Sequence, residues 1–388
     1  MGVSLTDRRA CALVAVLAAL LVYAWTAARI HYAFGGNWTA VFCTGATFPI
    51  PPELEPGTYR FERGGYDGQF YRYLAHDPFL QKGYSRYVDY PLLRFRRVLV
   101  PLAAWLMALG RRGWIDGAYI AVEFLLVALG VYWCARLLER RGRSPLWGLL
   151  FVVLPATLAS FDRMLVDGAL ATWFAGFLLY CEERRWTRVW VLAMLAALTR
   201  ETGVLLAAAL VTDRLWHRDW RRAVWFAACG VPTAAWYAYL DAHVPHRGFV
   251  SARVIPGWSI LRRLFWLRPY PDPPVQLLLR VADLLAVLGL VISLLLAVRW
   301  LLELGISPAT LCAGFFLALE LALSSLAGYM DEAYGFARPV SPLLLWLMIE
   351  AVSRKKWTAL APPLLPSISV SLVFASPLVA VVKGLLGR

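Results

Sequence analysis

Charged residues are scarce in this chain, and their scarcity excludes most soluble folds. Only 16% of the 388 residues are Asp, Glu, Lys or Arg, whereas 60% are hydrophobic. Apolar runs of membrane-spanning length recur along the sequence, and water-soluble domains of this size do not carry them. The composition therefore predicts an integral membrane protein.

Cysteine and histidine are also few, which bears on disulfides and metals. The chain has six cysteines and five histidines. The cysteines fall mostly inside apolar runs, and no CxxC pair or histidine group with metal-binding spacing is present, so we expect neither a disulfide framework nor a zinc site. Internal repeats, low-complexity tracts and interdomain linkers are absent from the sequence. This predicts a single domain over residues 1–388.

Acidic residues are fewer than basic ones, 25 against 39. In a membrane protein this excess first indicates arginine-rich cytoplasmic turns, and we do not expect nucleic acid as a partner. At the N-terminus Arg8 and Arg9 precede an apolar run without a clear small-residue cleavage site. This pattern favours a retained membrane anchor over a signal peptide.

Hydropathy predicts nine apolar helices along the chain. They lie at about 10–30, 115–135, 145–160, 164–181, 223–240, 277–298, 307–327, 339–352 and 358–382. The region 186–211 is different, because arginine-rich sequence on both sides places both of its ends in the cytoplasm. Each arm has only ~10 to 14 residues, or roughly 15 to 21 Å, against a hydrocarbon core of ~30 Å. We expect two short helices that enter the membrane and meet at Arg200.

With this hairpin the chain is an all-α polytopic membrane protein of about eleven transmembrane helices with a cytoplasmic N-terminus. Two long outer loops follow, at about 31–114 and 241–275. In the first, the spacing of the aromatic residues after position 66 and the short apolar stretch 98–109 both predict helices lying in the membrane interface. The second loop either caps a cavity or forms an interfacial helix at 258–267.

The stretch 65–78, GYDGQFYRYLAHDP, is polar, acidic and aromatic although it follows the first apolar helix. Asp67 stands between two glycines, with Tyr66 and Tyr71 as flat apolar walls. Such a set suits a sugar, whose CH faces stack on aromatic rings while a carboxylate takes a hydroxyl proton. An Asp-Gly pair is also an ordinary turn. The residue types alone leave both interpretations open.

Arginines cluster near the predicted outer face. Arg94, Arg96 and Arg97 follow the acid Asp89 in the first outer loop, and such a cluster suits an anionic lipid phosphate. A solvated amphipathic face is the alternative. Three further single cations lie at or near the outer ends of helices, where they either snorkel to headgroups or share a binding face: Arg163, Arg200 and Arg338.

Five motifs in chain order resemble the GT-C superfamily of polyprenyl-phosphate-sugar-dependent glycosyltransferases, with the closest likeness to its bacterial mannosyltransferase-like members. The motifs are GYDGQFYRYLAHDP (65–78), DYPLLRFRRVLVPLAAWL (89–106), DRMLVDGAL (162–170), LTRETGVLL (198–206) and YGFARPVSPLL (334–344). The resemblance implies a GT-C-like architecture in which Asp67 is the catalytic base. It also implies basic residues that hold the lipid phosphate, among which Arg200 and Arg338 match best, with Arg163, Arg94 and Arg97 beside them.

The expected substrate site includes further residues of the same motifs: Tyr66, Gln69, Tyr71, Asp77 and Asp167. Asp167 could equally cap the start of a helix. The first loop lacks a paired DxD or ExD motif, so we expect no cofactor, and a need for a divalent metal is left open.

The resemblance implies sugar transfer, of mannose or another hexose or pentose, from a polyprenyl-phosphate donor to an acceptor hydroxyl on a lipid, glycan or protein. The reaction would invert the anomeric centre at the outer face of a bacterial inner membrane, with membrane lipids as neighbours. A transporter or flippase for a lipid-linked or anionic solute is the alternative, because acids such as Glu123 and Glu320 lie inside apolar helices.

Overall fold

The computed structural model describes residues 5–62, 64–245, 255–266, 273–326, 329–331, 335–372 and 375–386. Helices make up almost all regular structure in these residues, and their β-structure is one isolated bridge between Gly45 and Phe61. The expected all-helical fold is thus confirmed. Most of the helices contribute side chains to one hydrophobic core.

Seventeen α-helices occur in the described residues. In chain order they are α1 (Leu5–Phe34), α2 (Asp67–His76), α3 (Pro91–Phe95), α4 (Leu99–Met107), α5 (Arg112–Arg140), α6 (Pro155–Arg163), α7 (Asp167–Glu182), α8 (Trp186–Thr199), α9 (Val204–Trp216), α10 (Trp220–Ala227), α11 (Val231–His243), α12 (Trp258–Phe265), α13 (Pro273–Leu304), α14 (Pro308–Leu323), α15 (Ala337–Ser353), α16 (Ala361–Ser371) and α17 (Ala375–Leu385).

Three helices are long and apolar enough to cross a membrane, within α1, α5 and α13. A fourth candidate is a bent pair, the 3-10 segment Pro145–Phe151 followed by α6, with an angle of 64° between them. We predicted one helix at about 145–160. Pro155 explains the break, because it opens α6 at a position where its missing N–H costs nothing. By length and composition the described residues support a helical membrane protein.

The helix predicted at 358–382 is also interrupted. The 3-10 segment Trp357–Leu360, α16 and α17 replace it, and α16 packs along α13 while α17 packs on α1. The region predicted at 223–240 consists of α10 and α11 joined by the 3-10 turn Ala228–Gly230. Hydropathy alone does not predict such breaks, because the apolar composition continues through them.

The predicted hairpin of two short helices is confirmed as α8 and α9, with the chain extended at Arg200. The two helices pack on each other through a close approach at Gly203. A Cβ atom on Gly203 would lie 1.9 Å from the carbonyl oxygen of Ala196, so only glycine fits there. This contact holds the tip of the hairpin together.

The first outer loop folds mainly onto protein. We predicted that the aromatic stretch after Tyr66 lies in the membrane interface, but every residue of α2 from Gly68 to His76 is buried among other parts of the chain. The prediction for that helix was wrong because its two faces both meet protein. The stretch 98–109 does form a short helix, α4, which packs between α2 and α5.

The second outer loop, 241–275, lies partly outside the described residues. Its described part includes α12, whose Ser259 hydroxyl donates to the carbonyl oxygen of Leu326 at 2.9 Å and whose Arg263 pairs with Asp283 of α13. Trp258, Leu261 and Phe265 are exposed on the other face. An amphipathic helix with this division suits a membrane interface.

Candidate functional site

Asp67 is the first residue of α2, and the packing of that helix end fixes its position. A carboxylate in the first turn of a helix is stabilised by the positive end of the helix dipole. The next residue, Gly68, presses its backbone against the carbonyl oxygen of Arg163 at the end of α6. A Cβ atom on Gly68 would lie 1.9 Å from that oxygen. The second glycine of the GYDG motif therefore allows the start of α2 to pack closely against the end of α6.

Arg94 binds the carboxylates of two acids at once. Its Nη1 lies 2.8 Å from Oδ2 of Asp67, and its Nη2 donates to Oδ1 of Asp67 at 2.8 Å. The same guanidinium donates to Asp89 at 2.9 and 2.8 Å. Only 9% of the Arg94 side chain and 21% of the Asp67 side chain are exposed. Two bidentate interactions of this kind are strong and orient the groups they join.

The pKa of Asp67 reflects this cation. Burial by itself raises the pKa of the carboxyl group, but the guanidiniums of Arg94 and Arg338 outweigh burial and lower the pKa to about 2. Asp67 is therefore ionised at every physiological pH. Its carboxylate is also a weak base for as long as both arginines remain beside it.

Arg338 and Arg200 both bind Asp167, the first residue of α7. Nη1 of Arg338 lies 3.3 Å from Oδ2 of Asp167 and 3.7 Å from Oδ2 of Asp67, so this arginine bridges the two aspartates. Nη1 of Arg200 contacts Oδ1 of Asp167. The Arg338 guanidinium also lies over the ring of Tyr66, 5.2 Å from its centroid. Arg200, Arg338 and Asp167, three predicted site residues from distant motifs, are thus in contact.

Arg97 extends the same set of ion pairs to the tip of the α8–α9 hairpin. It donates to the two carboxylate oxygens of Glu201 at 2.9 and 2.6 Å, and to the hydroxyl of Tyr71 at 2.8 Å. Nε of Arg200 lies 3.6 Å from Oε1 of Glu201. We call the whole set the acid–arginine network, and its members are Asp67, Asp89, Arg94, Arg97, Asp167, Arg200, Glu201 and Arg338.

The acid–arginine network is balanced, with four carboxylates against four guanidiniums. A phosphate that entered it would have to compete with a carboxylate for an arginine. Arg338 is one candidate for such an exchange, because its distances of 3.7 Å to Asp67 and 3.3 Å to Asp167 are longer than the 2.8 Å and 2.6 Å contacts that Arg94 and Arg97 make with their acids.

Arg163 belongs to a neighbouring cluster. Its Nε binds Oδ2 of Asp162 at 2.7 Å and its Nη1 contacts the Sγ atom of Cys43. Asp162 in turn pairs with Arg29 of α1. We predicted a phosphate-binding role for Arg163. These contacts connect α1, α6 and the segment around Cys43, and the backbone of Arg163 supports α2. The phosphate-binding role of Arg163 stays a prediction.

Asp77 and Gln69 hold the loop structure around α2. The Asp77 carboxylate accepts backbone N–H bonds from Lys82 at 3.0 Å and from Tyr84 at 3.1 Å, which closes the turn after the helix. The amide oxygen of Gln69 accepts from the backbone N–H of Gly45 at 3.3 Å, and its amide nitrogen faces Gly65. These contacts favour supporting roles over the substrate contacts that we predicted.

One cluster beside the network was missed at the level of sequence. Arg72 binds Asp116 of α5 through Nε at 2.9 Å and Nη2 at 2.8 Å, and His76 Nε2 lies 3.0 Å from Oδ1 of the same acid. Burial lowers the pKa of His76 even though Asp116 opposes the shift. The i, i+4 spacing of Arg72 and His76 places both on one face of α2, but nothing in the sequence indicates their partner on α5.

An apolar groove of about 290 Å³ opens between α4, α5, α7 and α8. Its walls are aliphatic except for Trp173, whose Nε1 donates to the Thr199 hydroxyl at 2.8 Å. Thr199 directly precedes Arg200, and Leu99 in the groove wall comes two residues after Arg97. The apolar groove therefore begins within a few residues of Arg97 and Arg200 along the chain.

Carboxylates of the network are held by guanidiniums. Among the described residues there is no group of three or more His, Cys, Asp or Glu side chains that could ligate a metal ion. Whether a divalent metal takes part stays a prediction. No protein-family model, curated protein or solved structure matches the chain.

Proposed function

We propose that the protein is a membrane glycosyltransferase that moves a sugar from a polyprenyl-phosphate donor to an acceptor hydroxyl. The observation that carries the proposal is the placement of Asp67 at a helix start, among four arginines, next to an apolar groove. A polyprenyl-phosphate sugar combines an apolar tail, an anionic phosphate and a hydroxylated ring. The apolar groove matches the tail, the arginines match the phosphate, and the ring of Tyr66 matches the sugar. Most residues of the acid–arginine network lie in the GT-C-like motifs.

The donor would lie with its chain in the groove formed with Leu99 and Trp173, and its phosphate against Arg338 and Arg200. Arginine suits a phosphate because its planar fork binds two oxygens at once. The sugar would then rest on Tyr66, whose ring already stacks under a guanidinium.

The proposed reaction is one displacement at the anomeric carbon. The acceptor oxygen forms the new bond to that carbon as the bond to the phosphate oxygen breaks, and the phosphate leaves with the bonding electron pair. Asp67 takes the acceptor proton. The arginines stabilise the charge that grows on the phosphate, an effect commonly worth ~10² to 10³ in rate per group. A single displacement inverts the anomeric configuration.

The low pKa of Asp67 is compatible with this scheme when the bound donor changes the charges around the Asp67 carboxylate. When Arg338 turns to the phosphate, Asp67 loses one of the three cations that depress its pKa, and its carboxylate becomes a better base. Asp167 would meanwhile keep Arg200 in place. Donor binding and base activation are thereby coupled through one arginine.

The proposed topology has about eleven membrane passes, with the network at the outer face of a bacterial inner membrane. Arginine-rich turns support this orientation, because the helix ends opposite the network carry Arg140, Arg141, Arg185 and Arg188. Lipid-linked sugars are the natural donors on that side. Helices such as α7, with 16 residues, would cross a thin or deformed part of the bilayer or be shielded by neighbours.

The test is product analysis with purified protein and a panel of polyprenyl-phosphate sugars in the presence of membrane-derived acceptors. We expect consumption of at least one donor and release of polyprenyl phosphate. Arg338→Gln should slow release about 100-fold or more, whereas Arg218→Gln, an exposed arginine at the other end of the bundle, should not change it. Equal rates for both variants would contradict the proposal.

Transport of an anionic solute is the second candidate, favoured by two acids inside apolar helices. Glu123 of α5 and Glu320 of α14 are each 1% exposed, and Glu320 accepts from the Tyr329 hydroxyl at 2.8 Å. Buried carboxylates of this kind often mark ion pathways. Solute uptake by reconstituted vesicles that is lost in Glu320→Gln, without any donor consumption, would favour transport over transfer.

A further inference from the structure

A second cavity lies at the end of the bundle opposite the acid–arginine network. α7 runs from Asp167 in the network to Glu182, and α5 runs the same way from Arg112 to Arg140. Beyond these ends, the cytoplasmic ends in the proposed topology, the start of α1, the end of α5 and the α7–α8 turn surround a cavity of about 160 Å³. We call it the basic pocket.

The basic pocket carries a clear excess of positive charge. Arg8, Arg136, Arg185 and Arg188 line it together with one acid, Glu183, which leaves three net positive charges. The acid is already engaged, since its two oxygens lie 3.0 Å from Nε of Arg185 and 3.4 Å from Nη1 of Arg140. Arg136 likewise binds Glu139 at 2.6 Å. Counting Arg140 and Glu139 as well leaves the excess unchanged.

Three arginines of the basic pocket, Arg136, Arg185 and Arg188, contact neighbouring groups. Arg136 is only 4% exposed. The guanidinium of Arg188 lies over the ring of Tyr180, 5.0 Å from its centroid, and the Tyr180 hydroxyl accepts from Nε1 of Trp133 at 3.2 Å. That hydroxyl keeps its own proton for a further acceptor. The start of α8 at Trp186 adds the positive end of a helix dipole.

Concentrated positive charge with preset donors suits an anion of limited size. Arginines held around one cavity repel each other, and an anion between them would relieve this repulsion. Arginine forks and hydroxyl donors match the oxygens of a phosphate. The cavity is smaller than the ~300 Å³ or more that drug-sized ligands occupy, so it has room for a phosphate group and a part of its carrier.

We propose that the basic pocket binds a phosphate group, either the headgroup of an anionic lipid or free phosphate. Pockets of basic residues between membrane helices commonly hold lipid headgroups at the cytoplasmic surface. Binding there would tie α1, α5, α7 and α8 together. The proposal does not depend on sugar transfer at the other end of the bundle.

The test uses the full chain and two probes. Nanodiscs of phosphatidylcholine, with or without phosphatidylglycerol, report the lipid headgroup, and inorganic phosphate titrated at constant ionic strength in detergent reports the free anion. Retained lipids are counted by native mass spectrometry, and phosphate binding is followed by the unfolding temperature. Arg185→Gln/Arg188→Gln is compared with Arg221→Gln/Lys356→Gln, which removes two exposed charges elsewhere.

We expect the pocket variant to bind at least about tenfold more weakly than wild type and the control variant to bind as wild type does, because each removed arginine takes away bonds to an ionised group. Retention of phosphatidylglycerol without a response to phosphate identifies a lipid site, and a response to phosphate identifies a free-anion site. No preference over phosphatidylcholine and chloride, or equal losses in both double variants, would overturn the proposal. If the double variant is unstable, Arg188→Gln alone serves, since that side chain is exposed.

Discussion

Replacement of Gly68 by alanine tests whether the start of α2 packs against the end of α6 and thereby fixes the position of Asp67. The added Cβ atom would lie 1.9 Å from the carbonyl oxygen of Arg163 and 3.0 Å from that of Phe42. Both obstacles are backbone atoms, which cannot rotate away, so the start of α2 has to move by about 1 Å to restore ordinary contact. Overpacking of this kind costs about 1 to 3 kcal/mol.

The higher helix propensity of alanine returns up to about 1 kcal/mol. Because both obstacles are backbone atoms, the cost lies near the upper end of that range. We therefore expect a net loss of about 2 kcal/mol, seen as a fall of about 2 to 3 °C in unfolding temperature. A shift of about 1 Å in a reacting group also lowers transfer roughly 100-fold. The matched control is Gly113→Ala in the first turn of α5, where an added Cβ atom meets no atom within 4 Å.

The assay is thermal unfolding of both variants in the same detergent, followed by sugar transfer at saturating donor. Gly113→Ala should unfold at or slightly above the wild-type temperature and transfer normally. If Gly68→Ala matches the wild type in both measurements, α2 does not pack on α6 as described, and the argument for the position of Asp67 fails.

Three further predictions follow from the site. Because the folded pKa of Asp67 is about 2 against an ordinary 3.8, the ion pairs of this acid contribute about 2 kcal/mol above pH 3.8. The difference in unfolding temperature between wild type and Asp67→Asn should therefore shrink as the pH falls from 5 to 2. A constant difference would contradict this assignment. Burial lowers the pKa of His76, so the folded protein holds this side chain neutral and the full stability is present above the unfolded pKa of about 6.5. Wild type should therefore lose more stability than His76→Gln between pH 7 and pH 5. Parallel curves of stability against pH for the two proteins would refute this. Trp173→Ala widens the apolar groove, so the KM of long-chain donors should rise while that of short-chain donors stays constant, and an equal rise for both would argue against a lipid tail there.

Long apolar runs could be predicted from the sequence because hydropathy depends on composition alone. The helices α1, α5 and α13 follow from such runs, and the break at Arg200 follows from the arginine-rich sequence on both sides of the hairpin. The break before Pro155 was missed because apolar residues continue through it. A proline there was the available signal.

Parts of the candidate site could also be predicted, but its connections could not. Asp67, Arg200 and Arg338 were singled out from their motifs, and the structure brings them to one network. The pairing of Arg94 with both Asp67 and Asp89 depends on how the first outer loop folds back on itself. A single sequence does not show such tertiary pairings, and the same holds for Asp116 beside α2.

The most direct test of the proposed function compares sugar transfer by Asp67→Asn and Asp89→Asn. Both variants remove one carboxylate from Arg94, so both disturb the same cation, but only Asp67 is proposed to take the acceptor proton. General base help is worth ~10² to 10⁴ in rate. We predict a loss in that range for Asp67→Asn and a loss of less than about tenfold for Asp89→Asn, with both proteins folded by thermal unfolding. Normal transfer by folded Asp67→Asn, or equal losses in the two variants, would contradict the role of Asp67 as the base.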